Sequence, residues 1–270
     1  MAYEWIVDAL DETWTSIDRT LRGCGADVYE ASTPCPGWSV RDVLSHLIGF
    51  ELVLNGGAVP VHEGPWPSHV KNPIGELNEA FVEAYRRQSG DELLDLFRDI
   101  TGDSLERLRS LSDEEWEKVG WSPEGERPLH RFQETRVLDS WIHLQDIRDA
   151  LLEPSDDHGP GEEIVVNRFE AALPYVLGKK AQAPDGTVVR INLSGHLARS
   201  ILLGVEDGRA RALEESANPP SLELTTPVAL FWRRAAGRIS ADAFLGASAT
   251  GVRGDEVLAR ALAEALAIMI

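Results

Sequence analysis

The stretch RFQETRVLDSWIHLQDIRDA, residues 131–150, carries the pattern on which the predicted fold depends. Its apolar residues recur at three- and four-residue spacings, which is the period of a helix with one buried face. Asp139 and His143 are four positions apart, so they lie one above the other on one face of this helix. The apolar residues that define the pattern are Val137, Leu138, Trp141, Leu144, Ile147 and Leu151.

An earlier stretch, TPCPGWSVRDVLSHLIGFE at residues 33–51, predicts a second helix that contains His46. The turn at residues 34–37 holds two prolines and a glycine, which are incompatible with a helix interior. Ser39 follows as the expected N-cap, and Asp42 stands three residues later, at the spacing of a capping box. We therefore expect a helix that begins near residue 39 and contains His46 in its interior.

Three side chains, His46, Asp139 and His143, are candidate ligands of one divalent ion if the two helices face each other across a core. Imidazole nitrogen and carboxylate oxygen suit Zn²⁺, and also Fe²⁺, Mn²⁺ or Ni²⁺. Three protein ligands leave one position for water or substrate. The spacing also fits another interpretation, in which both histidines are hydrogen-bonded core residues and Asp139 caps a neighbouring helix. Asp146 either orients His143 or is a solvated helix acid.

The rest of the N-terminal half predicts further amphipathic helices joined by short loops. These helices cover residues 4–22, 73–85 and 91–111, and a proline- and glycine-rich loop covers residues 58–72. Short connections between long amphipathic helices are typical of an antiparallel bundle. The expected architecture is therefore an antiparallel four-helix bundle over residues 1–155.

The polar stretch EPSDDHGPG, residues 153–161, predicts a linker between two domains. Beyond it we expect a helix over residues 162–177, then the strand-like runs VVRINLSG, ARSILLGVEDGRA and SLELTT. Asp207-Gly208 is a hairpin turn signal, and residues 229–237 and 255–269 predict helices. Residues 162–270 are thus expected to form a smaller α+β domain.

Composition narrows the classes of function. A net charge of −19 and a pI near 4.7 argue against nucleic acid or an anionic membrane as a partner. The two cysteines, Cys24 and Cys35, are too few for a disulfide framework. We found neither a signal-peptide pattern at the N-terminus nor an apolar run of the ~18 residues needed to span a bilayer. The expected location is cytoplasmic, and the oligomeric state stays open.

Two segments resemble the signatures of a known family. PGWSVRDVLSHL, residues 36–47, and RVLDSWIHLQDIR, residues 136–148, look like the signature segments of the maleylpyruvate isomerase-like, mycothiol-dependent enzymes of actinobacteria. That family belongs with the wider DinB-like four-helix metalloproteins. Residues 206–209 and 231–238 are similar to the sterol-carrier-like domain that such enzymes often carry.

The resemblance implies a metal, usually zinc, bound by the histidine after the Pro-Gly-Trp turn and by the histidine of the last bundle helix. These positions are His46 and His143 here. The family's third ligand is often a glutamate four residues before the second histidine, and this chain has Asp139 there. Because aspartate is shorter by one methylene, the metal must sit closer to the helix or be held more loosely.

The resemblance further implies mycothiol, a low-molecular-weight thiol, as the cofactor, and a small electrophile as the substrate. Metal binding favours the nucleophilic thiolate form of such a thiol. The expected function is a mycothiol-dependent isomerase or S-transferase. Two alternatives remain open at this point: a non-catalytic protein whose C-terminal domain holds an apolar ligand, and a metal-dependent hydrolase that uses bound water.

Three further side chains need an interpretation. Arg234 and Arg238 lie in FWRRAAGR, residues 231–238, and are candidate catalytic residues that would clamp a carboxylate of the substrate. The alternative is an ordinary helix surface with salt bridges. Cys35 is expected to have a structural role, because the helix from its turn to His46 rises ~10 Å.

Overall fold

The computed structural model describes residues 2–68, 70–155 and 158–269 of the 270-residue chain. By its internal contacts the chain divides into two compact units, Met1–Glu162 and Glu163–Ile270. Residues 156 and 157 of the predicted linker lie outside the described residues. The expectation of a helical N-terminal part followed by a C-terminal region with a sheet is confirmed.

Long helices dominate the first unit. Helix α3 begins at Val40 because Ser39 and Asp42 form the predicted capping box, in which each side chain meets the other residue's backbone N–H. Asn72 caps α4, which has Pro73 in its first turn. The helices are α1 (Glu4–Leu21), α2 (Ala26–Tyr29), α3 (Val40–Leu54), α4 (Pro73–Tyr85), α5 (Gly90–Ser110), α6 (Asp113–Glu117) and α7 (Leu129–Ala150), and the short strands β1 (Val119–Gly120) and β2 (Arg127–Pro128) pair before α7.

The four longest helices of this unit pack around one core. Helix α1 contacts α5 and α7, and α3 contacts α4, α5 and α7. Each large apolar side chain that is fully buried stabilises the fold by about 1.5–3 kcal/mol. The core side chains include Leu10, Trp14, Ile17, Leu44, Ile48, Phe97, Trp141 and Ile147.

One ion pair lies inside this apolar core. Arg136 on α7 donates from Nε to Oε1 of Glu51 on α3 at 3.0 Å, and its Nη2 contacts the other carboxylate oxygen. Ser104 on α5 donates to the same carboxylate at 2.6 Å. Arg136 and Glu51 are 2% and 4% exposed, so the two charges depend on each other for compensation. The pair therefore links three helices at one point.

The second unit contains a five-stranded sheet in the order β5-β4-β3-β6-β7. All neighbouring strands are antiparallel except β3 and β6, which are parallel. The predicted turn at Asp207-Gly208 is confirmed, since both residues have positive φ, 52° and 71°, and connect β4 to β5. The strands are β3 (Val188–Ser194), β4 (Arg199–Glu206), β5 (Arg209–Leu213), β6 (Leu222–Pro227) and β7 (Gly251–Gly254).

Helices complete the second unit. Helix α8 (Pro160–Tyr175) begins two residues before the predicted start, because Pro160 suits the first turn of a helix. Pro174 lacks the N–H that the helix ladder needs, and a π-helical segment, Val176–Lys180, follows it. The remaining helices are α9 (Val228–Ala235), α10 (Ala241–Gly246) and α11 (Glu256–Ala265). Over the described residues, none of the helices combines the length and apolar character that a bilayer crossing requires.

Candidate metal centre

Helices α3 and α7 supply the three side chains that the sequence singles out. His46 lies in the middle of α3, and Asp139 and His143 lie one turn apart on α7. The two helices are in contact, and the capping box at Ser39 sets where α3 begins. The buried residues of α3 include His46, which is 4% exposed and contacts Asp139 on α7.

The three side chains converge on one point. Nε2 of His46 lies 3.0 Å from Oδ2 of Asp139, and Nε2 of His143 lies 3.7 Å from Oδ1 of the same carboxylate. The imidazole rings are 4.9 Å apart between centroids, and one ligand atom from each residue lies within 4.8 Å of the others. Both oxygens of Asp139 thus face an imidazole nitrogen. The shorter aspartate side chain still reaches the cluster.

The spacing and chemistry of these donors fit a divalent ion. An ion ~2.0–2.1 Å from each of its tetrahedral ligands holds those ligands ~3.3 Å apart. The two contacts to Asp139, at 3.0 and 3.7 Å, bracket that separation. Two imidazoles and one carboxylate are a donor set of the kind that Zn²⁺ and its first-row neighbours bind. The side chains of both histidines are 5% exposed, whereas that of Asp139 is 28% exposed, so the cluster is open on the side of the carboxylate.

Asp146 orients one of the imidazoles. Its Oδ2 lies 3.0 Å from Nδ1 of His143, and Asp146 itself is 1% exposed. The buried position excludes the alternative of a solvated helix acid. Because a carboxylate accepts hydrogen bonds, this contact fits the His143 tautomer that carries its proton on Nδ1, in which Nε2 would be available to an ion beside Asp139.

Trp38 covers both imidazoles, which sequence reasoning did not anticipate. Its ring centroid is 5.1 Å from that of His46 and 5.9 Å from that of His143. Its indole Nε1 donates to Oε2 of Glu79 on α4 at 3.2 Å, and this bond fixes the ring. In the sequence, Trp38 marks only the entry to α3, and its contact with α7 depends on packing that local periodicity does not encode.

Cys35 lies closer to the cluster than its place in the turn indicated. Its Sγ, a nitrogen of His143 and a carboxylate oxygen of Asp146 lie within 4.8 Å of one another. The expected structural role of Cys35 rests on its ~10 Å separation from His46 along α3. That distance says nothing about α7, which brings His143 to the turn from the other side of the core.

The structure places Arg234 and Arg238 in contact with backbone carbonyls of the second unit. Nε of Arg234 donates to the carbonyl of Ala263 at 2.7 Å and Nη2 to that of Glu264 at 3.2 Å, near the end of α11. Burial lowers the pKa of this guanidinium. Arg238 is half-buried and donates to the carbonyl of Ala236 at 2.9 Å. An anion-binding role for these arginines stays a prediction.

Comparisons with known proteins agree with this fold and show the family. A family model described as the mycothiol maleylpyruvate isomerase N-terminal domain matches residues 10–148, more than half of the chain, and the match includes all three clustered residues. A crystal structure of a mycothiol-dependent maleylpyruvate isomerase is similar with a TM-score of 0.59 at 14% identity, over 88% of this chain and 90% of that one. A histidine-to-alanine mutant of such an isomerase gives a TM-score of 0.56 at 14% identity, with the same coverage. A search of curated proteins found no significant match.

Proposed function

The chain belongs to the mycothiol maleylpyruvate isomerase family, and on that premise we propose that it is a metal- and thiol-dependent enzyme. The proposed cofactors are a divalent ion, with Zn²⁺ ahead of Ni²⁺, Mn²⁺ or Fe²⁺, and mycothiol as the low-molecular-weight thiol. The proposed reaction is isomerisation of a small electrophile or transfer of the thiol to it. An isomerase releases the thiol and the product as separate molecules, whereas an S-transferase leaves the thiol bonded to the product.

One observation carries the proposal: His46, Asp139 and His143 converge from two helices, with one ligand atom of each within 4.8 Å of the others. These three side chains would hold the ion. An ion bound there would favour the thiolate form of a thiol at its remaining position. The nucleophile would then come from the cofactor thiol, so the reaction requires no nucleophile from the protein.

The residues around the cluster have positioning roles in this proposal. Asp146 holds His143 in the tautomer whose Nε2 faces the cluster. Trp38, held by Glu79, shields the two imidazoles from water on the face that its ring covers. Asp139 is the least buried member of the cluster, and its side is therefore the proposed approach for thiol and electrophile. Arg238 and Arg234 remain the proposed anion-binding residues for a carboxylate of the substrate.

The finer features of the fold belong to the same proposal. We propose that the first unit is an antiparallel four-helix bundle of the DinB-like type, supported by the mutual contacts of α1, α3, α5 and α7. We propose a sterol-carrier-like fold for the second unit, supported by its mixed sheet flanked by helices in sequence. A cytoplasmic location remains a prediction from the sequence.

Metal content and thiol-dependent turnover test the proposed function. Protein purified without a histidine tag should contain about one divalent ion per chain by plasma mass spectrometry, and the His143→Ala variant should lose it. The wild-type protein should then convert a small electrophile only when a low-molecular-weight thiol is added. Wild-type protein that binds no ion even after addition of Zn²⁺, or turnover that needs no thiol, would overturn the proposal.

A further inference from the structure

His143 has a potential ligand group at each of its two ring nitrogens. At Nε2 it faces Asp139, with 3.7 Å between Nε2 and Oδ1. At Nδ1 it faces Asp146, with 3.0 Å between Nδ1 and Oδ2. Cys35 lies in a group with His143 and Asp146, in which its Sγ is within 4.8 Å of a ring nitrogen of His143 and of a carboxylate oxygen of Asp146. One imidazole is thus shared by a nitrogen–oxygen cluster and by a cluster that contains sulfur.

The backbone around Cys35 is held by local hydrogen bonds. The carbonyl of Cys35 accepts from the N–H of Trp38 at 3.1 Å, and the N–H of Cys35 donates to Oγ1 of Thr33 at 3.2 Å. Gly37 adopts a φ of 84°, which permits the tight turn ahead of α3. The thiol therefore approaches α7 from a fixed turn.

Two carboxylates lie beside the ring of His143. Asp146 is a carboxylate with 1% exposure, and burying a charge is costly unless an opposite charge compensates it. Asp139 places a second carboxylate at the other edge of the same ring. A divalent ion held by a thiolate, a carboxylate and a neutral imidazole would be balanced in charge.

The donor atoms of this group select a particular class of ion. Thiolate is a soft ligand, and a set of one sulfur, one nitrogen and one oxygen favours Zn²⁺, Cd²⁺ or Co²⁺ over Mg²⁺, Ca²⁺ or Mn²⁺. We propose that Cys35, His143 and Asp146 form a second ligand set for such a thiophilic divalent ion. This set shares His143 with the cluster of His46 and Asp139.

The shared imidazole makes the two ligand sets alternatives. A neutral imidazole has one nitrogen that carries a proton and one that offers a lone pair. An ion bound at Nδ1 requires the ring proton to move to Nε2, where it removes the lone pair that faces Asp139. The thiol proton of Cys35 leaves to solvent at the same time. Occupancy of the second set therefore disables the first, and thiophilic ions in excess would inhibit an enzyme that depends on the first.

Cobalt absorption separates the two sets, because Co²⁺ bound to thiolate has a strong charge-transfer band in the near ultraviolet and Co²⁺ bound only to nitrogen and oxygen does not. The full chain is stripped with a chelator and titrated with Co²⁺ in the absence of any added thiol. The decisive protein is the His46→Ala variant, in which the first set lacks a ligand. We expect it to bind one Co²⁺ with the charge-transfer band.

Two double variants complete the experiment. His46→Ala with Cys35→Ser should lose the band, whereas His46→Ala with Cys24→Ser should keep it. Cys24 is the matched control, because its thiol donates to the carbonyl of Thr20 at 3.4 Å and none of the potential metal-ligand groups formed by the described residues includes it. Circular dichroism verifies folding, and Asp139→Asn replaces His46→Ala if that variant does not fold.

The outcomes distinguish this inference from the proposed function. Absence of the band from His46→Ala, or its persistence after Cys35→Ser, would overturn the second ligand set. If His46→Ala abolishes all cobalt binding, the second set is wrong while the proposed function stands. If wild-type Co²⁺ affinity is unchanged by His46→Ala and the band depends on Cys35, the second set stands while the proposed function fails.

Discussion

Nε2 of His46 lies 3.0 Å from Oδ2 of Asp139, although 93 positions separate the two residues in the chain. The contact joins α3 to α7 at the level of the cluster. Nδ1 of the same imidazole is buried and has no hydrogen-bond partner among the described residues. The ring is therefore held through the edge that faces Asp139, the edge where a bound ion would lie.

The first prediction concerns thermal stability. Zn²⁺ should raise the melting temperature of the wild-type chain, because an ion that binds only the folded state stabilises it by about 2.7 kcal/mol at one hundred times Kd. His143→Ala should reduce the shift strongly, because this imidazole belongs to both potential ligand groups. The measurement is differential scanning calorimetry with and without Zn²⁺. An unchanged shift in His143→Ala would remove His143 from the ligands.

The second prediction concerns Asp146. Asp146→Asn should weaken Zn²⁺ binding about 10–100-fold, because the amide no longer holds His143 in one tautomer as the carboxylate does. Competition with a chromophoric chelator gives the affinity. Asp149→Asn, on the same helix and half-buried, is the matched control and should leave the affinity unchanged.

The third prediction concerns Trp38. Binding of Co²⁺ should quench part of the tryptophan fluorescence, because the indole ring lies 5.1 Å from the ring of His46. Trp38→Phe should remove much of that quenching while the metal content persists. Trp5→Phe, at an indole that is 46% exposed on α1, should leave the quenching as it is in the wild type. Equal quenching in the Trp38 variant would contradict the position of its ring.

The fourth prediction concerns the buried ion pair. Glu51→Ala should lower the free energy of unfolding by about 3–5 kcal/mol, because it leaves Arg136 as an uncompensated buried charge. Urea denaturation gives this value. The control is Arg109→Ala, which breaks a pair with Asp11 whose side chains are 48% and 42% exposed and should cost no more than about 1 kcal/mol.

The fifth prediction concerns alkaline pH. Burial raises the pKa of Tyr29 from its ordinary value of 10.0 to about 12. A pKa that is higher in the folded state contributes stability below the unfolded value and loses it as pH rises through the folded value. The free energy of unfolding should therefore fall between about pH 10 and pH 12, and Tyr29→Phe should reduce that fall. Chemical denaturation at several pH values measures it.

Local patterns predict the parts of this molecule that depend on local physics. The spacing of apolar residues predicts α7, which carries Asp139 and His143. The pair Ser39 and Asp42 predicts where α3 begins. The four-residue separation on α7 also explains why two of the candidate ligands meet. His46 joins them because the apolar faces of amphipathic helices pack against each other.

Contacts between distant segments are not encoded in such patterns. The approach of Cys35 to His143 depends on how a turn packs against α7, and no spacing rule reports it. Likewise, Arg234 has the charge expected of an anion-binding residue, yet its guanidinium meets carbonyls of Ala263 and Glu264, some thirty positions later. Strand β7, Gly251–Gly254, is too short and glycine-rich to stand out before its pairing with β6 is known.

The parallel pairing of β3 with β6 has a consequence for how the second unit forms. Strands β3, β4 and β5 are joined in sequence as antiparallel neighbours, so their pairing closes only short loops. Strand β6 follows β5 in the chain but pairs with β3, so β4 and β5 lie between the two partners in sequence. Pairing of strands that are far apart in the chain is intrinsically slow. We therefore expect the three-stranded meander to form before the full sheet. Until β6 arrives, the free edge of β3 is the part of this unit most exposed to pairing with another chain.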